Sequence, residues 1–536
     1  MINRRNTFPA SVFFMLMSFM VAAQTERSVE LPGVSAQQDA GRRIRVQPGD
    51  NLQSVFNAVR SGDVIELPAG AQFTGPFVLP QHDGDGWVTI ISVDSQNRLP
   101  AAGVRVTPED VVAMATLVAE TEPVIRTAPA AAWYHFIGVE IRPGHAGNVP
   151  NHVAGTRRTV NNLVELSSGR NQPGDMPHHI VFERSYLHGD PVLGTRRGIV
   201  LNGAHMAVID SHLSDFKSRD DAQAIAGWEG SGPFLIRNNY LEATGENVMF
   251  GGADPSVAGR IPSDIVISGN HFYKPLSWLP GHADHDGSRW SVKNLLELKN
   301  ASRVLIDGNL FEHNWPQAQN GFAILFTVRN QSGRAPWSVV EDVVFTNNIV
   351  RRVGAGISVL GFDDNYPSQR TRRLQIRNNL LYEVGGQWGS GRLFQLLDSP
   401  AGIEISHNTA VQSEAIMWVE GEAVPDITIT HNIFMHNIAG FSGTNTAPGQ
   451  QSIDRYFSGS VTIQGNVLIG PGGANYREGM TRVSNIAGME FADPVDGNFT
   501  RPQQAVQQNT DSNPVPGVDF EKLCAALSIP DRPSYC

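Results

Sequence analysis

The chain has only two cysteines in 536 residues, Cys524 and Cys536, both near the C-terminus. That excludes a small disulfide-built scaffold and leaves the body of the protein without a thiol nucleophile. Charge is sparse as well, at 17% of residues, which excludes a disordered polyelectrolyte and a coiled coil. The Glu, Lys, Leu and Ala excess of a mostly helical enzyme is missing. Positive charge is the scarcer sign, with 41 Lys and Arg against 52 Asp and Glu. Phosphate affinity comes mainly from Lys and Arg, so no nucleic-acid partner is expected. A polyanionic polysaccharide would be repelled at long range and would need a locally basic groove. Long apolar runs are also lacking, except at the start. There Arg4 and Arg5 precede the run Val12 to Val21, and Val21, Ala22 and Ala23 make a small-residue cleavage site. Residues 1–23 therefore read as a secretory signal, and no segment is long enough to span a bilayer. A secreted or periplasmic protein follows, and in an oxidising compartment Cys524 and Cys536 are expected to pair and pin the tail.

Glycine is abundant, at 53 positions, and one short pattern recurs. It alternates apolar and polar residues, then reaches an Asn followed shortly by another apolar residue. Copies end at Asn239, Asn270, Asn309, Asn348, Asn379, Asn408, Asn432 and Asn466, with weaker ones at Ser185 and Ser211, between 24 and 39 residues apart. A fixed unit with elastic spacing is the mark of a solenoid whose insertions fall in loops. Alternation predicts a strand before each Asn, and stacked Asn side chains would bond coil to coil as amide ladders. A second strand follows each motif, as in Asn294 to Lys299, Ala323 to Arg329 and Arg392 to Asp398. Few hairpin turns separate these strands, which argues against a sandwich. The reading is all-β: a right-handed parallel β-helix over residues 44–500, after a leader at 24–43 and before a loosely attached tail at 501–536. Asp50 as N-cap, with Leu52, Val55, Phe56 and Val59 on one face, predicts a capping helix over the open N-terminal end, and Asp63 to Leu67 the first strand. A second short helix is predicted near Phe520–Leu527.

The helix, the segment Gly62 to Gly70 and the Asn coils resemble the secreted pectate-lyase-like right-handed β-helix proteins. That superfamily hosts lyases, hydrolases, epimerases and binding proteins, so the likeness implies fold rather than activity. On such a scaffold, outward side chains of neighbouring coils form rows. Glu297 and Lys299 point outward where Leu296 and Leu298 point inward, and Arg329 lies on the next coil. Gln395 and Asp398 extend the row; Asp220, Asp221, Gln223, Glu246 and Asn247 precede it. Glu297, Lys299 and Arg329 loosely resemble the alginate lyase and chondroitin B lyase family, in which a Lys base and an Arg acid stand beside glutamate-bound calcium. The resemblance implies Lys299 as base, Arg329 as acid and Glu297 as a Ca²⁺ ligand. It also expects acids five and seven residues before the Lys, where this chain has Asn294 and Val292.

Three further groupings invite a role. Asp220 and Asp221 resemble the paired aspartates of polygalacturonase-type hydrolases, which need an acid and a carboxylate about the scissile bond. His282, Asp284, His285 and Asp286 gather metal-ligand types in a loop flanked by Trp278 and Trp290, although an exposed loop wall offering rings to sugars fits it better. His313 is an alternative base or leaving-group acid, and Trp315, Gln317, Gln319 and Asn320 fill the same insertion. The first expectation is thus a polysaccharide lyase acting by β-elimination on a uronic-acid polymer. The alternatives are a hydrolase using Asp220, Asp221 or Glu246, or a non-catalytic glycan-binding solenoid. The expected partner is a polysaccharide, and the expected state a monomer.

Overall fold

The computed structural model describes residue 31 and residues 41–120, 123–144, 160–167, 173–285, 287–471, 474–494, 497–500, 515–527, 530 and 532–536. The signal and all but a few residues of the leader lie outside this set. The rest winds as a right-handed parallel β-helix of three long sheets, with 14, 14 and 12 strands. Each coil contributes three strands where the sequence pattern revealed two. The strand before the Asn motif joins the first sheet, as with Ala301–Asp307. A short strand after it, such as Leu310–Asn314, joins the second, and the third sheet takes strands such as Phe322–Thr327.

The repeated Asn fixes the corner between the first and second sheets. Asn309 Nδ2 donates to Asn348 Oδ1 of the next coil at 3.0 Å and to Ile267 O of the previous one at 2.9 Å. Its own Oδ1 accepts from the backbone and side chain of Asn270, both at 2.9 Å. The pattern runs unbroken from Asn239 to Asn466, and Ser211 starts it with its backbone N–H to Asn239 Oδ1. The residue before each Asn is left-handed: Asn238 at φ 54°, Gly308 at 64°, Asn378 at 52° and His431 at 56°. Gly adopts that geometry freely and Asn, Asp or His more readily than other residues, which explains the Asn-Asn, Gly-Asn and His-Asn pairs in the sequence.

Inside, registered rows of apolar residues fill the coils, for example Ile236, Ile267, Ile306, Phe345 and Ile376. One continuous core results. The capping helix is shorter than expected, Leu52–Phe56, and its N-cap is Asn51 rather than Asp50, because Asn51 Oδ1 accepts from Ser54 N while Asp50 serves Gln47 N. Phe56 meets Phe77 edge-on and closes the core end. The first strand is Arg43–Arg45, pairing in parallel with Val64–Pro68.

The described part of the tail is firmly seated rather than loose. Gly517 N donates to His431 O, and Asp519 N to Asn378 Oδ1. The helix Phe520–Ala526 then buries Leu523 against Leu310, Ile349 and Leu380 on the second sheet. Cys524 and Cys536 form a disulfide that closes this segment. No helix among the described residues is long and apolar enough to cross a membrane.

Candidate functional site

The polar face anticipated from sequence lies on the outside of the third sheet. Arg197, Gln223 and Glu246 stand in register on three successive coils. Glu297 opens a second row through Leu325 and Ser358 to Gln395. Loops entering and leaving this sheet form the walls of a groove.

At one end the groove holds a dense charge cluster. Lys293 Nζ sits 2.6 Å from Asp221 Oδ1 and 3.6 Å from Glu246 Oε1. Arg196 and Arg197 approach Asp221 Oδ2 at 3.5 and 3.9 Å. Gln223 donates to Glu246 Oε2 at 2.6 Å and accepts from Arg197 Nε at 2.8 Å. Glu246 is fully buried, and its Oε1 has no hydrogen-bond donor. Burial, then the Glu297 and Asp221 charges, push its carboxyl up to about 7. Burial pushes Asp221 the same way, yet Lys293 and Gln223 hold it well below the usual carboxylate range. Lys293 responds in kind: burial works against its charge, and Glu246 with Asp221 more than restores it. Two carboxyls on adjacent coils are thereby driven apart in proton affinity.

Lys299 and Arg329 stand beside this cluster. Lys299 Nζ is 3.6 Å from Glu297 Oε1, and the Arg329 backbone N–H donates to Lys299 O at 2.8 Å. Register pairs Leu298 with Phe326, so Lys299 and Arg329 leave neighbouring strands at the same edge of the sheet. Both side chains line one cleft of about 450 Å³ with Asn330, Asp363 and Tyr366. The Arg329 guanidinium is clamped by Asp363 at 2.9 Å and by Asp364, which together more than offset the burial opposing its charge. Asn320, Gln395 and Asp398 line a larger adjoining cleft of about 1020 Å³, to which Arg329 also belongs.

Other expected site residues are placed elsewhere. Asp220 is exposed and outside the cluster. Asn247 is buried in the corner between the second and third sheets, where Nδ2 donates to Leu241 O and Tyr273 O and Oδ1 accepts from the buried Lys274 ammonium. It braces the turn instead of facing the groove. His313 belongs to the second sheet, buried and stacked on Trp388, with burial lowering it to about 4. Trp278, one of the rings offered to sugars, and Trp315, expected to bind substrate, instead pack with Trp388 and Val292 in a buried cluster, with Trp290 against it. These rings cover apolar surface at the solenoid corner, so the two long loops meet in a packed knot. Of the acidic loop, Asp286 lies outside the described residues. His282 and Asp284 pair at 3.6 Å, and His285 bonds Ser277 O.

Sequence reasoning missed Lys293, Arg196, Arg197 and the Asp363–Asp364 clamp. Lys293 lies just ahead of its strand, where no alternation marks which way a side chain points. Its partner Asp221 is 72 residues away.

The residues do not fit the calcium site that the resemblance implies. Glu297 is already engaged by Lys299, by Thr327 Oγ1 at 3.2 Å and by Asn294 Nδ2 at 3.3 Å. Among the described residues, no three His, Cys, Asp or Glu side chains group as metal ligands. Hard cations want several convergent, unoccupied oxygens, and here ammonium and guanidinium groups stand among them.

No protein-family model matches the chain, and no curated protein matches it by sequence. Solved structures do match. The PL6-family alginate lyase AlyGC superposes with a TM-score of 0.53 at 12% identity, covering 90% of this chain and 57% of that one. The chain thus spans little more than half the length of that enzyme. A mannuronic acid specific polysaccharide family 6 lyase from human gut microbiota matches with a TM-score of 0.50 at 10% identity, over 82% of this chain and 91% of that one. At such identities the shared property is the fold alone, the right-handed parallel β-helix.

Proposed function

We propose that this is an exported carbohydrate-active enzyme, a polysaccharide lyase that cleaves a uronic-acid polymer by β-elimination in the groove of the third sheet. The observation that carries the reading is the placement of Lys299 and Arg329 on adjacent coils, lining one cleft beside a cation-rich cluster. Elimination removes the proton next to the uronate carboxylate, and that proton is acidic enough only when the carboxylate is neutralised. Lys293, Arg196 and Arg197 supply positive charge at one end of the groove. Lys299 is the residue placed to take the proton. As the C–O bond breaks, Arg329, held in place by Asp363 and Asp364, donates a hydrogen bond to the departing glycosidic oxygen, which takes its proton from solvent. The same basic cluster answers the long-range repulsion that an acidic protein presents to a polyanion.

The test is incubation with a panel of uronic-acid and neutral polysaccharides, following the ultraviolet band of unsaturated uronate. Product is expected from a uronic-acid polymer, with losses of about 10²-fold or more in Lys299→Ala and Arg329→Ala. New reducing ends without the unsaturated band would replace the reading with hydrolysis. A specific observation favours that second reading: Glu246 holds a proton up to about 7 while Asp221 stays ionised, an acid and a carboxylate on neighbouring coils. Glu246, however, has no exposed surface from which to reach a substrate. Binding without any product would leave a glycan-binding solenoid.

A further inference from the structure

Asp221, Glu246 and Glu297 lie on three successive coils of the third sheet, at the point where the family resemblance expects calcium. Four cations of the chain already answer these three carboxylates. Lys293 bridges Asp221 and Glu246, Arg196 and Arg197 reach Asp221, and Lys299 reaches Glu297. Formal charge in the cluster is therefore positive before any ion is added, which removes the electrostatic reason for a divalent cation to settle there. Two buried acceptors, Glu246 Oε1 and Asn294 Oδ1, nonetheless have no hydrogen-bond donor. Lys293 Nζ is within ion-pair distance of that Glu246 oxygen, and Asn294 Nδ2 bonds Glu297. Among the described residues, buried acceptor oxygens thus lie beside a lysine of the chain rather than converging as an ion site.

We propose that Lys293 is a tethered counter-ion that takes the place of calcium, so that the groove binds a uronate carboxylate with cations of its own and needs no divalent metal. The identity of that anion rests on the lyase reading; the replacement of the metal does not. Lys293, Arg197 and Lys299 each keep part of their side chains exposed, with 19%, 14% and 17% accessible. The surplus positive charge therefore faces the groove, where a carboxylate would complete the balance.

The experiment is titration of the purified protein with calcium by calorimetry and with terbium by luminescence. The wild type is expected to show no saturable site. Lys293→Met, shown to be folded by circular dichroism, is expected to gain one site per chain, binding about tenfold tighter or better, which Glu246→Gln in the same variant abolishes. Stoichiometric calcium binding by the wild type, lost in Glu246→Gln, would overturn the proposal. So would a folded Lys293→Met variant that gains nothing. Should Lys293→Met fail to fold, the wild-type titration decides alone, since saturable binding refutes the proposal and its absence supports it. Neither titration depends on turnover, so failure to find lyase activity is a separate result.

Discussion

With no exposed surface and one carboxylate oxygen lacking a donor, Glu246 keeps its proton up to about pH 7 in the folded protein. Once unfolded it is an ordinary carboxyl, ionising near 4.5. Between those values the folded state holds the extra proton, so stability falls as pH rises from 4.5 towards about 7, and the penalty is complete above that. Glu246→Gln is therefore expected to flatten this decline and to raise the melting midpoint at pH 8. Melting curves across pH 4 to 8 check it (about four points suffice to read a slope). A variant that melts lower than the wild type at pH 8 would contradict the assignment. Glu242, also buried and pushed up to about 7, leaves part of the slope in place.

The Asn ladder and the strand before it carry the architecture, and they were the most legible part of the sequence. Alternation names the strand, the left-handed residue names the corner, and a ladder Asn follows at each turn. Asn309→Ala removes donors to Ile267 O, Asp307 O and Asn348 Oδ1, and leaves the Asn270 backbone N–H without its acceptor. A loss of about 2–4 kcal/mol in urea denaturation is expected from several buried groups left unpaired. A loss below about 0.5 kcal/mol would show that the ladder is ornamental to stability. The strands of the second sheet were less legible, because runs such as His271–Tyr273 are only three residues long, too short to show alternation. The site was legible only in outline. Glu297, Lys299 and Arg329 announce themselves by alternation within strands, and Gln395 by its row. Lys293 does not, since its meaning depends on a chain that returns after a long excursion to lie against Asp221. Trp315, expected to bind substrate, and His313, expected as an alternative base or acid, misled for the converse reason: both are recruited to cover apolar surface at a corner.

Across the whole molecule, the tail ties coils together that are distant in sequence. Leu523 packs on three successive coils at Leu310, Ile349 and Leu380, and the nearby disulfide closes its segment. Leu523→Asp is expected to expose this apolar row, raising dye binding to hydrophobic surface and favouring association, while leaving the groove on another sheet intact. Unchanged dye binding would mean that the tail contributes no cover. Two adjoining clefts that share Arg329 run along the third sheet from Lys299 to Asp398, and the Lys293 cluster stands on the coils before them. The most direct test of this account is the time course of ultraviolet absorbance when the purified protein meets a uronic-acid polymer. The account predicts a steady rise that Lys299→Ala abolishes. Saturated reducing ends that form equally fast in wild type and Lys299→Ala would contradict it.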